Sequence, residues 1–397
     1  MGKNCQRNPS GIYESMNKKE LLFVLKAFLI WRVGLFTILF MSVKFLPLQQ
    51  HFLGGGVANY LKCPWFWAWA NFDGANYLSI SQYGYLFVGH FFPFYPLLMA
   101  GVAGLIGNSV VGVNIAGLLI SNISFFVALL GLYKLVRLDY SKKITRTVII
   151  LILLFPSSFY FGSVYSESLF LALVVWSFYF AREGKWLWVG IMGVFTSATR
   201  VVGILLLPAL LVEYFSLNKS LKARRIGWNF LFIFLVPVGF FAYAYYLFRV
   251  YGDPFAFFHS LSGYGVQRSA TLVILPQVFY RYIFRVLPNI DYSYFPAVFV
   301  TILEFIVGIV FLGVSIISLF RLRLSYAIFV VLGYLIPTFS GSFSSLPRYV
   351  LVLFPAFILL ALWINRLSYP LKLVVYGLLF ASLVVASAMF LRGYWIS

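Results

Sequence analysis

The segment 110–136 carries one charged side chain, Lys134, and several other stretches are nearly as free of charge. A run of about 20 mostly apolar residues is long enough to cross the hydrocarbon core of a bilayer as a helix. Inside that core no water meets the backbone, so a crossing segment must satisfy its own hydrogen bonds, and helices do. The alternating pattern of membrane β-barrel strands is absent from the sequence. Candidate spans are 21–45, 110–136, 148–162, 169–181, 186–198, 201–215, 228–248, 297–320, 326–339, 349–364 and 373–390, about eleven in all and several of them short. The chain is 62% hydrophobic and 10% charged, whereas a soluble domain carries about a quarter charged residues. The expected class is an all-α polytopic membrane protein, with residues 1–397 forming one integral membrane domain.

Charge orients the chain. With the N-terminus cytoplasmic, one face receives Lys3, Arg7, Lys18 and Lys19, then Lys134, Arg137, Lys142, Lys143 and Arg146, then Arg182 and Lys185. The same face receives Lys219, Lys222, Arg224 and Arg225, then Arg321 and Arg323, and finally Arg366 and Lys372, as the positive-inside rule requires. Counting 93–106 as a full span would put every later basic loop outside, so that segment is expected to be an interfacial or re-entrant helix. The C-terminus then lies outside. The net charge of +20 is accounted for by this topology and calls for no nucleic acid. Two segments, 46–109 and 251–295, lie outside the bilayer, the first a large loop with interfacial helices, and neither could form a domain with its own core. The first apolar run follows a polar, basic leader and is too long for a signal-peptide core, so it is expected to remain as an anchor. Cys5 and Cys63 fall on opposite faces and cannot pair.

With 10 acidic residues in the whole chain, the position of each one is informative. Glu14 and Glu20 belong to the leader. Asp139, Glu183 and Glu213 belong to cytoplasmic ends, where solvated loop charges are expected. Asp73, Glu167, Asp253 and Asp291 fall at the outer face, and Glu304 lies within a span, where an ionisable group usually faces a cavity. Asp73 precedes an amphipathic stretch in which Tyr77, Ile80 and Ser81 follow at helical spacing and Gly84 ends the element. Two readings of Asp73 stand open: the N-cap of that helix, or a carboxylate aimed by the helix start. Glu167, in Tyr165-Ser166-Glu167-Ser168, has the same pair of readings. On the outer side Arg200, Arg268, Arg281, Arg285 and Arg348 fit either lipid headgroups or a phosphate site, since guanidinium forks match phosphate oxygens. No phosphate-binding Gly-rich loop and no Ser/His/Asp arrangement is present. His51, His90 and His259 lack metal-ligand spacing, so neither a cofactor nor a metal is indicated.

The run Asp73-Gly74-Ala75-Asn76-Tyr77-Leu78-Ser79-Ile80-Ser81-Gln82-Tyr83-Gly84-Tyr85, followed by Phe91-Phe92-Pro93-Phe94-Tyr95-Pro96-Leu97, resembles the PIG-V-type mannosyltransferases, a family of GT-C membrane glycosyltransferases. Tyr165-Ser166-Glu167-Ser168, Thr199-Arg200-Val201-Val202-Gly203-Ile204 and Arg348-Tyr349-Val350-Leu351-Val352-Leu353-Phe354-Pro355 resemble further stretches of that family, in the same order. The resemblance implies a GT-C fold and a polyprenyl- or dolichyl-phosphate sugar donor, with mannose the expected sugar. It also implies inverting transfer to a lipid- or glycan-linked acceptor at the outer or lumenal face, with Asp73 as the catalytic base. For this reaction Arg348 and Arg200 are the expected donor-phosphate ligands, and Tyr77, Glu167 and Tyr165 the expected acceptor-orienting residues. Where the family often has Trp-Asp, this chain has Phe72-Asp73. Its length favours a prokaryotic relative, hence a bacterial plasma membrane rather than the endoplasmic reticulum. Two other classes fit a basic polytopic chain: a lipid or sugar transporter or flippase, and a non-catalytic assembly subunit on the same scaffold.

Overall fold

The computed structural model describes residues 16–85, 90–220, 227–259 and 272–396. Among them all regular structure is helical. The principal helices are α1 (Lys18–Phe45), α2 (Asp73–Tyr83), α3 (Phe94–Ile106), α4 (Val110–Arg137), α5 (Lys142–Leu154), α6 (Glu167–Arg182) and α7 (Trp186–Thr199). They continue with α8 (Leu206–Ser220), α9 (Val238–Tyr251), α10 (Phe295–Arg321), α11 (Leu324–Thr338), α12 (Phe354–Ile364) and α13 (Tyr369–Leu391).

Among the described residues five helical segments are long and apolar enough to cross a membrane: α1, α4, Trp228–Tyr251, α10 and α13. Their outward faces are apolar. α1 exposes Leu29, Ile30, Val33, Phe40 and Phe45, and α10 exposes Ile306, Ile309, Val310 and Phe320. Exposed apolar surface on this scale is stable only against lipid, so the chain is an all-α integral membrane protein. The remaining apolar helices are shorter, among them α3, α7, α11 and α12. A thirteen-residue helix such as α3 rises only about 20 Å.

Local chemistry sets the ends. Asn17 caps α1 and Glu20 answers it in a capping box, which satisfies two backbone donors reciprocally. Ser109 and Ser141 cap α4 and α5. Two expected spans are broken. Segment 148–162 stops as an α-helix at Leu154 and resumes as the tight turn Ser158–Gly162, because Pro156 drives Phe155 into extended geometry. Segment 349–364 divides at Leu353 into a short helix, Leu346–Val350, and α12.

The core is built by α4 along α6, α6 along α7, α10 along α11, and α5 against α12. The C-terminal segment fastens the loop ahead of α2. Asn71 Nδ2 donates to the Phe390 carbonyl at 2.9 Å, Tyr60 donates to the Leu391 carbonyl at 2.5 Å, and the Gln49 amide donates to the Arg392 carbonyl at 2.9 Å. This close approach requires glycine at 393, where φ is +78° and a side chain would collide with the Gln49 carbonyl.

The basic residues at the end opposite Asp73 are not all solvated. Asp139 and Glu213 were expected to be loop charges, yet Glu213 is 1% exposed and both belong to a network with Arg182 and Arg323. Buried between α6, α8 and α11, a carboxylate must be paired, and the two arginines do that. Cys63 is a half-buried free thiol, while Cys5, Glu14 and Arg268 lie outside the described residues.

Candidate active site

Four segments far apart in sequence converge where α2 and α6 begin. α2 contributes Asp73 and Tyr77, the turn before α6 contributes Tyr160, Tyr165 and Ser166, α6 opens with Glu167, Arg200 follows α7, and the short helix Leu346–Val350 contributes Arg348. All six expected site residues, Asp73, Tyr77, Tyr165, Glu167, Arg200 and Arg348, belong to this cluster.

Asp73 does not cap its helix. Phe72 occupies the cap position with φ +56° and no side-chain cap bond, and Asp73 Oδ2 accepts from Arg348 Nη1 at 2.5 Å. A non-glycine residue at such φ costs on the order of 1–3 kcal/mol and persists only when its surroundings hold it. Here the Phe72 amide donates to the Phe52 carbonyl at 2.7 Å, and its ring meets those of Phe390 and Trp395. The arm carrying Arg348 also leaves from a left-handed residue, Ser345, with φ +63°.

Arg348 reaches a second carboxylate. Its Nε lies 2.7 Å from Glu167 Oε1, close enough to pair though not aligned as a hydrogen bond. Arg200 Nη1 donates to the same oxygen and lies 3.4 Å from Ser166 Oγ. The charges therefore alternate as Asp73, Arg348, Glu167 and Arg200, and sum to zero. Glu167 Oε2 is buried with no hydrogen-bond partner among the described residues. Glu167 makes no capping bond but remains well placed in the first turn of α6, where the helix dipole favours a negative charge. Tyr77 donates to Ser166 Oγ at 3.0 Å, and Tyr165 donates to the Asn71 carbonyl at 3.0 Å. The Arg348 guanidinium carbon stands 5.3 Å from the Tyr165 ring centroid and 5.5 Å from that of Tyr160, while Arg200 stands 5.6 Å from that of Tyr349. Cations over aromatic faces at such distances are attracted by the ring quadrupole.

Burial opposes ionisation of Asp73. The charge and hydrogen bond of Arg348, helped by His90 and Arg200, outweigh burial and hold the carboxyl below its ordinary pKa. Burial likewise opposes the charge on Arg348, but Asp73 and Glu167 overcome it and raise its pKa. Burial, with the charge of Glu167, pushes the Tyr77 phenol up, so it stays a donor. The arrangement can hold an ionised carboxylate and two fixed cations in a half-enclosed site: the side chains of Asp73 and Arg348 are 21% and 14% exposed. An apolar pocket beside Arg200, lined by Phe170, Val202, Phe329 and Val352, is too small to hold a lipid tail, with about 10 Å³ inside, room for one water.

Sequence reasoning did not single out Tyr160, Ser166, Tyr349 or His90. Ser166 and Tyr349 neighbour predicted residues, and His90 was weighed only as a metal ligand. Glu304 is buried in α10, where it accepts from Tyr282 at 2.7 Å. Asp253 is half-exposed and Asp291 exposed, and they are satisfied locally by His259 and Ser293. Arg281 donates to the Gly341 carbonyl at 3.3 Å. None of these belongs to the cluster. Among the described residues no three His, Cys, Asp or Glu side chains converge as a metal site.

No protein-family model and no curated protein matches the chain. Among solved structures, the oligosaccharyltransferase of Archaeoglobus fulgidus is similar over most of this chain. Its crystal structure with zinc and sulfate has 13% identity and a TM-score of 0.44, covering 91% of this chain and 53% of that one. Its structure tethered by a disulfide to an acceptor peptide containing the NVT sequon has 14% identity and a TM-score of 0.46, covering 96% and 56%. The chain thus spans about half the length of that oligosaccharyltransferase. Neither likeness is close enough to carry a functional argument, which rests on the cluster itself.

Proposed function

We propose that this chain is a GT-C glycosyltransferase. It moves a sugar, mannose in the first instance, from a polyprenyl- or dolichyl-phosphate donor to a lipid- or glycan-linked acceptor at the outer or lumenal face of a membrane. A bacterial plasma membrane suits it better than the endoplasmic reticulum, and the fold it implies has about eleven spans with the N-terminus cytoplasmic. The observation that carries the reading is the buried run of alternating charges, Asp73–Arg348–Glu167–Arg200, in a chain whose solvent is lipid. The PIG-V-type resemblance of the same residues supports it.

In this reaction the acceptor hydroxyl gives its proton to Asp73. The acceptor oxygen bonds to the anomeric carbon on the face opposite the phosphate, and the carbon–oxygen bond to the phosphate breaks with its electron pair going to the phosphate, which inverts the centre. A positioned base contributes about 10²–10⁴-fold to such a step. Asp73 paired to Arg348 is too weak a base for that task. Donor binding resolves this: Arg348 exchanges Asp73 for the incoming phosphate, which stabilises the leaving group in a low-dielectric site and lets the Asp73 pKa rise toward its ordinary value. Arg200 shares the phosphate, Glu167 keeps both guanidinia in place, and Tyr77 and Tyr165 orient the acceptor. The catalytic step assigns no role to a metal.

The test is transfer of labelled mannose from a short-chain polyprenyl-phosphate mannose to crude lipid and glycan extracts by the purified protein. Dependence of product on this donor is the expected result. Donor consumed at the same rate without protein, or no binding of donor at all, overturns the assignment.

A further inference from the structure

The most exceptional charge in the molecule lies outside this site. Arg32 sits at mid-length in α1, a helix with apolar outward faces. Glu20 and Lys142 are ion-paired at 3.0 Å, so α1 and α5 start level. Arg32 is twelve residues beyond Glu20 and Leu154 is twelve beyond Lys142, which puts both about 18 Å up from the basic face. Phe45, the other end of α1, is about 20 Å further on. The guanidinium therefore lies about midway along α1, level with the turn that leads to Glu167.

An ionised side chain on an apolar span is expensive and is normally paired with an acid or turned into a polar cavity. No ion pair among the described residues involves Arg32. Its carbon lies 4.1 Å from the Trp69 ring centroid and 4.7 Å from that of Phe36, which leaves the charge attracted but not neutralised. Nη1 is buried against Gly162, where any larger residue would strike it, and has no acceptor among the described residues. Beside it the aromatic rings continue toward the far end of α1, with Phe36 edge-on to Trp69 and Phe40 stacked on Trp65. Phe36, Phe40 and Trp65 are exposed on the lipid side.

We propose that Arg32, with the aromatic wall of Phe36, Phe40, Trp65 and Trp69, binds the phosphate of a membrane lipid. A guanidinium without an acidic partner is matched by an anion, and the anions that reach a lipid-facing aromatic surface are phosphate esters carried on hydrocarbon chains. The site is distinct from the cluster at Asp73, yet adjoins it. Trp69 lies four residues before Asp73 and Gly162 five before Glu167, and the Val164 amide donates to the Trp69 carbonyl at 2.9 Å. The two segments that carry Asp73 and Glu167 thus run between Arg32 and the active site. This binding does not depend on the sugar-transfer reading.

The experiment uses the full chain in nanodiscs of zwitterionic lipid and three probes: a labelled short-chain polyprenyl phosphate, phosphatidylglycerol, and inorganic phosphate. Arg32→Gln is expected to weaken binding of the lipid phosphate by roughly tenfold or more, and Arg32→Lys by less, because it keeps the charge and loses the fork. Thermal unfolding of Arg32→Gln should be unchanged or higher than wild type, since no carboxylate loses a partner. Loss confined to polyprenyl phosphate assigns the site to an isoprenyl lipid, and equal loss for phosphatidylglycerol assigns it to a phospholipid headgroup. Equal affinity of wild type and Arg32→Gln for every lipid overturns the proposal. Absence of lipid-phosphate binding by wild type, or inorganic phosphate held as tightly as the lipids, overturns it as well.

Discussion

Two clusters, each of two acids and two arginines, close opposite ends of α6. Asp73, Arg348, Glu167 and Arg200 gather at its start, and Asp139, Arg182, Glu213 and Arg323 at its finish. The second is well satisfied. Arg182 grips Asp139 with two nitrogens at 2.5 and 2.8 Å, and Glu213 receives Arg323 at 2.8 Å and Ser325 at 2.5 Å. Among the described residues, the first has one buried carboxylate oxygen without a donor, one guanidinium nitrogen without an aligned acceptor, and two arms launched from residues with positive φ. Equal charge counts thus serve different ends. A fully bonded network ties helices together, whereas strained backbone and hydrogen-bonding capacity not taken up by neighbouring side chains are features that gather at functional sites.

The largest expected difference between the clusters is in turnover. Asp73→Asn or Arg348→Gln should lower sugar transfer by about 10²–10⁴-fold, whereas Asp139→Asn should leave transfer per folded molecule unchanged. Initial rates on purified variants check this, and equal losses at the two ends would erase the distinction. Stability should run the other way. Glu213→Gln removes the carboxylate from a pair in which it is 1% exposed, at a cost of about 3–5 kcal/mol. Asp73→Asn removes a single charged hydrogen bond at a half-open site, which costs about 1.5 kcal/mol. Denaturation of both variants in the same detergent decides the order. Tyr77→Phe deletes the donor to Ser166 Oγ and should cost about 1 kcal/mol. Calorimetry that finds no change would mean that this hydroxyl serves the acceptor alone.

The smallest effect is in pH. Because its partner lowers the Asp73 pKa, the pair's contribution to stability is complete above the unfolded carboxylate value of about 3.9. It is lost as the pH falls through the lower, folded value. The stability gap between wild type and Asp73→Asn should therefore be flat from about pH 5 to 8 and shrink only below about pH 4. A gap that widens on acidification would mean that Asp73 is not ion-paired.

The long helices were legible in the sequence because an apolar run in a nearly uncharged chain has few alternatives. That Asp73 and Glu167 stand out was legible because acids are scarce and each stood beside a turn signal; Arg200 and Arg348 stood out by their place on the outer side, and Tyr77 and Tyr165 entered through the family resemblance. Spacing could not reveal where those side chains point. The capping reading of Asp73 failed because Phe72 takes the cap position in a conformation held by its hydrogen bond to the Phe52 carbonyl and its packing against Phe390 and Trp395. Asp139 and Glu213 looked like solvated loop charges, since their burial depends on how α8 and α11 meet α6, which no local pattern encodes. Arg32 was hidden by its neighbours: one charge in a hydrophobic run does not disturb the recognition of a span, and that no carboxylate among the described residues pairs with it emerges only once Trp69 and Gly162 are brought beside it.

The central claim is that the strained, incompletely bonded cluster is the catalytic one. It is tested most directly by single-turnover transfer from polyprenyl-phosphate mannose in three proteins side by side: wild type, Asp73→Asn and Asp139→Asn. Transfer by wild type and Asp139→Asn, with none detectable for Asp73→Asn although that variant still binds the donor, is the predicted result. Wild-type transfer by Asp73→Asn would contradict the account at its base.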